Sequence, residues 1–271
     1  INNNRRSFNL IGDPNLKIAL PQYVLVADSI NHLDPDLQVD TVRALSKMHV
    51  VGHVEDLSGN VMTNFNGIVS PTIYDKIKLS QTLQNEPSAP LVQFEEQNNA
   101  LYKGKATVKN GYFSFEFIVP KDINYSFGKG KISLYAENGS FDAAGFDTSF
   151  IVGGIDTNAP VDNQGPEVQL FLNDENFVNG GITSSSPLLI VKASDEFGIN
   201  TVGNGVGHDL TLILDGNTAS PIVLNDYYVA DLDSYQSGEI QYNLRDLSAG
   251  QHTAEVKIWD ANNNSSLARI E

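Results

Sequence analysis

Short runs of apolar and β-branched residues recur along the whole chain, and turn-forming residues separate them. The clearest run is 112–119, where Phe113, Phe115 and Phe117 alternate with other residues. A spacing of two places all three rings on one face of a β-strand. Residues 40–47 are the one helix-like stretch, and they could equally form a loop that leads into a strand. The sequence therefore predicts an all-β protein built of antiparallel sheets packed face to face.

A stretch rich in Gly, Pro, Asn and Asp, residues 153–166, divides the chain. The net charge of −16 is divided unevenly, because residues 1–158 carry −4 and residues 159–271 carry −12. We predict two tandem β-sandwiches, the first over 22–157 and the second, acidic and immunoglobulin-like, over 158–271. Residues 1–21 are expected to be the tail of an upstream domain. The start at Ile1 and the strand expected to begin at 269–271 favour a piece of a longer protein.

Strands are predicted at two sets of positions. In the first part they are 23–27, 48–54, 65–69, 112–119, 130–136 and 150–152. In the second part they are 168–172, 188–193, 210–214, 238–242 and 252–259, and Trp259 is expected at the edge of the core.

Composition excludes several kinds of chemistry. The chain has no Cys, which excludes disulfides, thiolate metal ligands and a cysteine nucleophile within it. Its acidity makes nucleic acid a poor partner, because phosphate backbones would be repelled. No apolar run approaches the roughly 20 residues that span a bilayer, so no transmembrane segment is predicted.

His49 and His53 are the first candidates for a metal site, since four residues apart is the spacing of a helical zinc pair. The surrounding residues favour a strand, however, where that spacing separates the rings by roughly 13 Å. We interpret the two as surface or edge histidines.

The dipeptide His208-Asp209 is the best candidate for acid–base chemistry, but catalysis needs a nucleophile nearby. None of the nearest serines has a nucleophile-elbow pattern, and the glycine-rich loop 203–207 lacks the residues of a phosphate-binding loop. We predict no catalytic, cofactor-binding or metal-ligating residue. The serines considered are Ser184, Ser194 and Ser220.

The acidic second part raises the alternative of a calcium site, because Ca²⁺ takes six to eight oxygen ligands. The oxygen-bearing residues are scattered without EF-hand spacing, and a solvated acidic surface is the simpler interpretation. The residues that could contribute are Asp195, Glu196, Asn200, Asp209, Asp226, Asp231 and Asp233.

Aromatic residues give a weaker case for carbohydrate binding, which needs exposed flat rings. Tyr227, Tyr228 and Tyr235 form the best cluster, but adjacent strand residues point to opposite faces, so one of the first two is expected in the core. Asn124 and Asn138 fit the N-glycosylation pattern, which we interpret as chance.

Four stretches of the chain resemble a known family. Residues 8–18, which contain Leu10-Ile11-Gly12-Asp13-Pro14, resemble the segment that closes the protease domain of gingipain-like cysteine peptidases, family C25. Residues 52–67, 102–125 and 195–209 extend the similarity to the region downstream of the catalytic domain in PorU-type sortases of the Bacteroidetes type IX secretion system. The similarity covers nearly the whole chain.

The resemblance implies a parent protein at the cell surface, on the outer membrane. In that family a His and a Cys of the protease domain remove the C-terminal signal of secreted cargo and join the cargo to a surface lipopolysaccharide. Neither catalytic residue has a counterpart here, so the resemblance implies a non-catalytic accessory region that supports or docks the upstream protease domain. Other secretion proteins, cargo signals and lipopolysaccharide are further partners that it implies. A glycan- or cargo-signal-binding module is the alternative function, whereas no ligand spacing supports a metal-dependent hydrolase.

Overall fold

A computed structural model describes the chain at residues 20–33, 39–86, 88–202 and 207–271. Within those residues almost all regular structure is β-strand, which confirms the predicted all-β class. The strands of the first part are β1 (Tyr23–Ile30), β2 (Thr41–Ala44), β3 (Lys47–Glu55), β4 (Gly67–Tyr74), β5 (Lys78–Gln81), β6 (Gln93–Glu96), β7 (Ala100–Lys103), β8 (Ala106–Lys109), β9 (Tyr112–Ile118), β10 (Gly128–Lys129), β11 (Lys131–Glu137), β12 (Asp142–Asp147) and β13 (Ile151–Ile155).

The strands of the second part lie between residues 167 and 270. They are β14 (Glu167–Leu172), β15 (Leu188–Ser194), β16 (Thr211–Leu214), β17 (Ile222–Val223), β18 (Tyr228–Ala230), β19 (Ser237–Asn243), β20 (Ala254–Trp259) and β21 (Ser265–Ile270), with a 3₁₀ turn at Asn225–Tyr227. Because β21 runs from Ser265 to Ile270, residues 269–270 end a strand, and the expectation that a strand begins there is wrong.

The first part is a sheet that closes on itself. Its strands follow the order β11-β12-β1-β3-β9-β8-β4, and β4 pairs with β11 to complete a seven-stranded barrel. All neighbours around the ring are antiparallel except β1 and β12, which are parallel. Strand periodicity predicted the buried faces but could not distinguish a closed barrel from two facing sheets, because both bury alternate residues. We refer to this part as the barrel.

Alternate side chains fill the barrel interior. Phe113, Phe115 and Phe117 of β9 are all buried, as their spacing predicted. Gly52 of β3 lies opposite Phe113, and a Cβ at Gly52 would overlap both the Phe113 ring and the Val26 carbonyl. The glycine is therefore required by the size of the ring beside it. Full burial of each phenylalanine contributes about 1.5–3 kcal/mol.

Residues 40–47 form a strand and a turn instead of a helix. β2 covers Thr41–Ala44 and pairs in parallel with β13, and Leu45 then takes a left-handed conformation (φ 65°) before β3 begins. The helical interpretation of this stretch is wrong, because eight residues are too few to establish a helical period.

The second part is a sandwich of two four-stranded sheets, ordered β14-β15-β19-β18 and β17-β16-β20-β21. Taken in chain order, strands one, two, five and six form one sheet, and strands three, four, seven and eight form the second. The immunoglobulin-like assignment stays a prediction. Leu189, Leu212, Ile240 and Val256 contribute to its core from both sheets. We refer to this part as the sandwich.

Barrel and sandwich have separate hydrophobic cores, which share no residue among those described. The residue limits at 157 and 158 stay a prediction, as does the tail at 1–21, most of which lies outside the described residues. In the described part of the chain no helix is long and apolar enough to cross a membrane.

Candidate functional site at the domain junction

The junction between barrel and sandwich is held first by a buried carboxylate. Asp122 follows β9 in the barrel, and only 8% of its side chain is exposed. Its oxygens accept hydrogen bonds from Asn200 and Asn263 of the sandwich, and it pairs with Nδ1 of His208 at 2.6 Å. Next to it the Lys121 amide donates to the carbonyl oxygen of Ala261 at 2.8 Å.

Packing positions His208 for this contact. Its ring lies 4.3 Å from the ring of Trp259, and Nζ of Lys257 lies 4.1 Å from the centre of the same indole. Trp259 is half-buried, in agreement with the expectation of a place at the core edge. The sequence analysis considered His208 for acid–base chemistry and predicted no catalytic role, and the structure places its ring against Asp122 across the junction. Residues 203–206 of the glycine-rich loop lie outside the described residues.

A second contact crosses the junction through a loop of the sandwich. Asp233 accepts hydrogen bonds from the amide and the hydroxyl of Thr107 on β8, both at 2.6 Å. The Asp233 amide donates to the carbonyl oxygen of Lys105 at 2.9 Å, beside a short parallel bridge between Lys105 and Leu232. Because both the backbone and the side chain of Asp233 bind the barrel, these contacts fix the register of the loop against β8.

Tyr235 continues the same loop and packs against the barrel core. Burial raises the pKa of its hydroxyl, and Nζ of Lys47 lies 5.8 Å from its ring centre. Gly198 lies under this ring with φ +92°, and a Cβ there would be 2.8 Å from Cδ2 of Tyr235. The glycine is needed both for the left-handed backbone and for the approach of the ring.

Three carboxylates meet in the sandwich, close to the junction. Asp162 precedes β14, Asp195 follows β15 and Asp260 follows β20, and one oxygen of each lies within 4.8 Å of the others. Burial and then the neighbouring carboxyl groups of Asp162 and Asp195 raise the pKa of Asp260 to about 7, although hydrogen bonds from Asn264 lower it in part. Burial followed by the neighbouring carboxylates Asp162 and Glu196 also raises the pKa of Asp195. We name these three residues the acidic triad.

Backbone amides and an asparagine hold the acidic triad in place. The amides of Asn262 and Asn264 donate to Oδ1 of Asp260, and the Asn264 side chain donates to Oδ2 of both Asp260 and Asp162. Three oxygen donors of this kind suit a hard cation, and a proton shared among them relieves the same repulsion. Calcium, which the sequence analysis raised as an alternative to a solvated acidic surface, stays a prediction.

Of the seven residues proposed for calcium, Asp195 alone belongs to the acidic triad. Asp233 binds Thr107, Asn200 binds Asp122, and Asp226 lies 3.5 Å from Lys103 across the junction. The other three lie elsewhere. Asp231 accepts a hydrogen bond from the Ser237 hydroxyl, and the backbone carbonyl of Glu196 accepts one from the Gln236 side chain. Asp209 is half-buried just before β16. Sequence reasoning missed Asp162 and Asp260. The sequence held a weak signal for each of them. Asp162 lies in the turn-rich linker, and Asp260 follows a predicted strand and precedes three asparagines.

The histidines of β3 have separate partners, as their strand spacing suggested. His53 binds Asp28 through Nδ1 at 2.8 Å and approaches Glu55 through Nε2 at 3.4 Å. The His49 ring lies 5.2 Å from the ring of His32. The spacing of four therefore does not bring the two rings to a common ligand.

The tyrosine cluster does not form a flat platform. Tyr228 is largely buried and contacts the sandwich core, which confirms that one of the adjacent pair points inward. The Tyr227 ring is half exposed but lies edge-on to Tyr242, with ring centres 4.9 Å apart. The amide oxygens of Asn124 and Asn138 accept bonds from backbone amides two residues later, as in ordinary turns.

His252 has the most catalytic-looking surroundings among the described residues, and sequence reasoning missed it. Nδ1 lies 2.8 Å from Asp215, and Nε2 lies 3.4 Å from the Ser248 hydroxyl. Nε2 is closer, at 2.9 Å, to the carbonyl oxygen of Ser248. Asp215 and then that carbonyl raise the pKa of His252, and through these two contacts the ring joins two loops.

The same loops enclose a cavity of about 610 Å³ at the end of the sandwich. Its wall is largely aliphatic, and a rim of hydroxyl-bearing residues at 183–185 surrounds it. Ser184 lies on that rim, Ser194 lines a polar groove beside β15, and Ser220 is in an exposed turn. The serines considered from the sequence thus lie apart from one another and from His208.

Fold and junction together define a β-barrel packed against a β-sandwich, with carboxylates that bind across the interface. Among solved structures, this arrangement is similar to dimeric latent PorU from Porphyromonas gingivalis, with 35% identity over 96% of this chain and a TM-score of 0.57. The chain is thus related to the C-terminal region of PorU, which confirms the predicted resemblance. It spans about a quarter of the length of the PorU chain.

Other comparisons add little. The sporulation control protein Spo0M from Bacillus subtilis matches 93% of this chain and 91% of its own, but the identity is 8% and the TM-score is 0.29, which carries no argument. No protein-family model matches the chain, and no curated protein matches it.

Proposed function

We propose that the chain is the non-catalytic accessory region of a cell-surface cysteine protease of the gingipain-like family C25, a sortase of type IX secretion. The observation that carries this proposal is the 35% identity to PorU over nearly the whole chain. The absence of Cys supports it, because the nucleophile of such a protease would have to lie elsewhere in the parent protein. The upstream protease domain is then the main partner.

The junction suggests how such a region would act. Asp122 and Asp233 join barrel and sandwich through both side-chain and backbone bonds, and we infer from these contacts that the two act as one body. A fixed spacer can hold a protease domain at a set distance and angle from other secretion components. A hinged pair would leave that geometry undefined.

Two measurements test the proposal. The purified chain should fold and show no peptidase activity, and deletion of its residues from the parent protein should abolish cargo sorting at the cell surface. Parent protein carrying Asp122→Ala should sort less cargo than the wild type, and Asp226→Ala serves as the exposed control at the same junction. Normal sorting after deletion would refute the accessory role.

The cavity at the end of the sandwich favours a second candidate function, the binding of surface glycan or of cargo signal peptides. Aliphatic walls with a hydroxyl rim suit a ligand that has both apolar and polar parts. Ile182 lines the cavity and is fully exposed, whereas Val178 is exposed nearby without lining it. The wild-type chain should then bind purified lipopolysaccharide or signal peptide. Ile182→Glu should abolish this binding, and Val178→Glu should preserve it. Absence of binding would exclude this function.

A further inference from the structure

A groove of about 650 Å³ runs between barrel and sandwich beside β18. Ile68 and Lys105 of the barrel form one wall, and residues of β18 and β19 form the other. Ile68 lies opposite Thr107 on the neighbouring barrel strand, and Thr107 binds Asp233 of the sandwich. The contacts already described at the junction therefore hold the two walls in place.

Large apolar side chains from both domains line this groove. Each of them is 39–48% exposed, and they are Ile68, Tyr227, Val229 and Leu232. Single exposed apolar residues are ordinary on a protein surface, whereas several around one groove are typical of an interaction surface. Because the Tyr227 ring lies edge-on to Tyr242, it adds apolar area without offering a flat platform for a sugar.

β18 also presents an open strand edge to the groove. It is the outermost strand of its sheet, and among the described strands only β19 pairs with it. The Asp231 amide donates to the carbonyl of Ser237 on the β19 side. Since successive residues of a strand direct their backbone groups to opposite edges, the amide and the carbonyl of Ala230 point to the open edge. Ala230 lines the groove, so a segment bound there can pair with its backbone.

The barrel already occupies the continuation of this edge. Lys105 forms a parallel bridge with Leu232, two residues beyond β18, and its carbonyl accepts a hydrogen bond from the Asp233 amide. The edge is thus closed at Leu232 and open along the three residues Tyr228–Ala230. A strand added there places alternate side chains beside Val229 on the outer face of the sheet.

Acidic side chains predominate at the rim of the groove. Asp226, Asp231 and Glu239 line it, and Lys105 is the one cation among the described residues that do so. Lys103 offsets part of the charge of Asp226, from which it lies 3.5 Å away. The strongly acidic composition of the sandwich adds to the negative field. Basic residues on an incoming segment are therefore favoured over acidic ones.

We propose that this groove binds an extended segment of a partner protein, with an apolar centre and basic flanks, as a strand added to β18. The apolar centre contacts Val229 and Leu232, and its backbone pairs with Ala230. The basic flanks face Asp231 and Glu239. The inference does not depend on the accessory function, because it concerns a surface of the folded chain itself.

Fluorescence anisotropy with a labelled peptide of sequence KKVVVKK tests the proposal on the 271-residue chain. We expect saturable binding that weakens as salt is added, because the attraction between exposed charges is screened. The peptide EEVVVEE should bind far less, since its flanks repel the rim. Methylation of the central valine nitrogen should also weaken binding, because it removes a backbone donor that an added strand needs.

Matched substitutions locate the binding site. Val229→Lys should weaken binding by about tenfold or more, because it removes an apolar contact and adds a like charge. Val223→Lys is the control, since Val223 lies on β17 at the edge of the other sheet and is 50% exposed against 47% for Val229. Both variants should unfold at the wild-type temperature, because both positions are exposed. Glu239→Gln should weaken binding about two- to fivefold, and Glu255→Gln on β20, outside the groove, should not.

Hydrogen exchange tests the strand pairing directly. With the KKVVVKK peptide bound, the Ala230 amide should exchange more slowly, because it then donates to the added strand. Absence of binding, equal effects of Val229→Lys and Val223→Lys, or unchanged exchange at Ala230 would overturn the proposal. Self-association of the chain that Val229→Lys removes, without any binding of the peptide, would assign the groove to a second copy and overturn it as well.

Discussion

Nδ1 of His208 in the sandwich lies 2.6 Å from Oδ2 of Asp122 in the barrel, with the Trp259 ring packed against the imidazole. The two residues are 86 positions apart in sequence. Asp122 has two further donors from the sandwich, so a single carboxylate of the barrel is bound by three side chains of the other domain.

Replacement of Asp122 by Ala should loosen the junction. Three donors would lose their acceptor in a largely buried place, which costs about 1–3 kcal/mol. We expect calorimetry to show the single unfolding transition separating into two as barrel and sandwich become independent. Asp226→Ala is the control: its side chain is 91% exposed, so loss of its ion pair with Lys103 should change stability by less than about 1 kcal/mol. Equal effects of the two substitutions would contradict the role given to Asp122.

The acidic triad predicts that stability falls as pH rises. Asp260 has a pKa of about 7 in the folded chain, against 3.8 when unfolded, so the folded state holds the proton more tightly. The stabilisation that the Asp260 proton gives to the folded state is complete below about pH 4. It is lost as pH rises to 7, by on the order of 3 kcal/mol. Denaturant unfolding at pH 5 and pH 8 with a chelator measures this change. Asp260→Asn should reduce the difference, whereas Asp174→Asn, in an exposed turn, should not.

The calcium prediction is checked in the same experiment at pH 8. A cation bound by the acidic triad would raise the unfolding midpoint with increasing Ca²⁺, because it binds only the folded state. Asp162→Asn should then reduce the shift. If Ca²⁺ leaves the midpoint unchanged, the calcium prediction is wrong.

Gly198 should tolerate alanine less well than another left-handed glycine. Gly198 and Gly180 have φ of +92° and +82°, but only Gly198 faces a ring, that of Tyr235. Gly180→Ala should cost about 1–2 kcal/mol from backbone strain alone. Gly198→Ala should cost more, because the new methyl group displaces Tyr235 from the barrel core. If urea unfolding gives similar losses of stability for Gly198→Ala and Gly180→Ala, the contact with Tyr235 contributes little.

His252 predicts a second dependence on pH, at the other end of the sandwich. Asp215 raises its pKa above the ordinary 6.5, so its stabilising contribution is complete below that value and is lost as pH rises through the raised pKa. The midpoint of thermal unfolding should decrease over that range in the wild type. His252→Gln should flatten this part of the profile, and a profile that it leaves unchanged would rule out His252 as the titrating group.

The all-β class, the stronger strands and the inward-facing rings of β9 were all predictable, because period-2 alternation is a local property of the sequence. Short strands such as β17 and β18 were not predicted, because two or three residues establish no period. β5 and β6 were also missed, since Leu79 and Phe94 each lie between polar residues.

The candidate site was predictable only in fragments. Asp195 and His208 were noticed because of neighbouring residues, but Asp162, Asp260 and Asp122 lie far from them in the chain. Their convergence depends on how linker, strand ends and two domains pack, which no local spacing encodes.

The sequence by itself determined that this is a Cys-free, acidic, all-β chain, because composition and alternation act locally. The relation to PorU-type proteins came from the resemblance of four stretches of the chain. Tertiary structure decided that the first sheet closes through β4 and β11, that Asp122 fastens the sandwich, and that three aspartates share one place. The physical reason is that ring closure and carboxylate clusters depend on distances between residues remote in sequence, which packing alone sets.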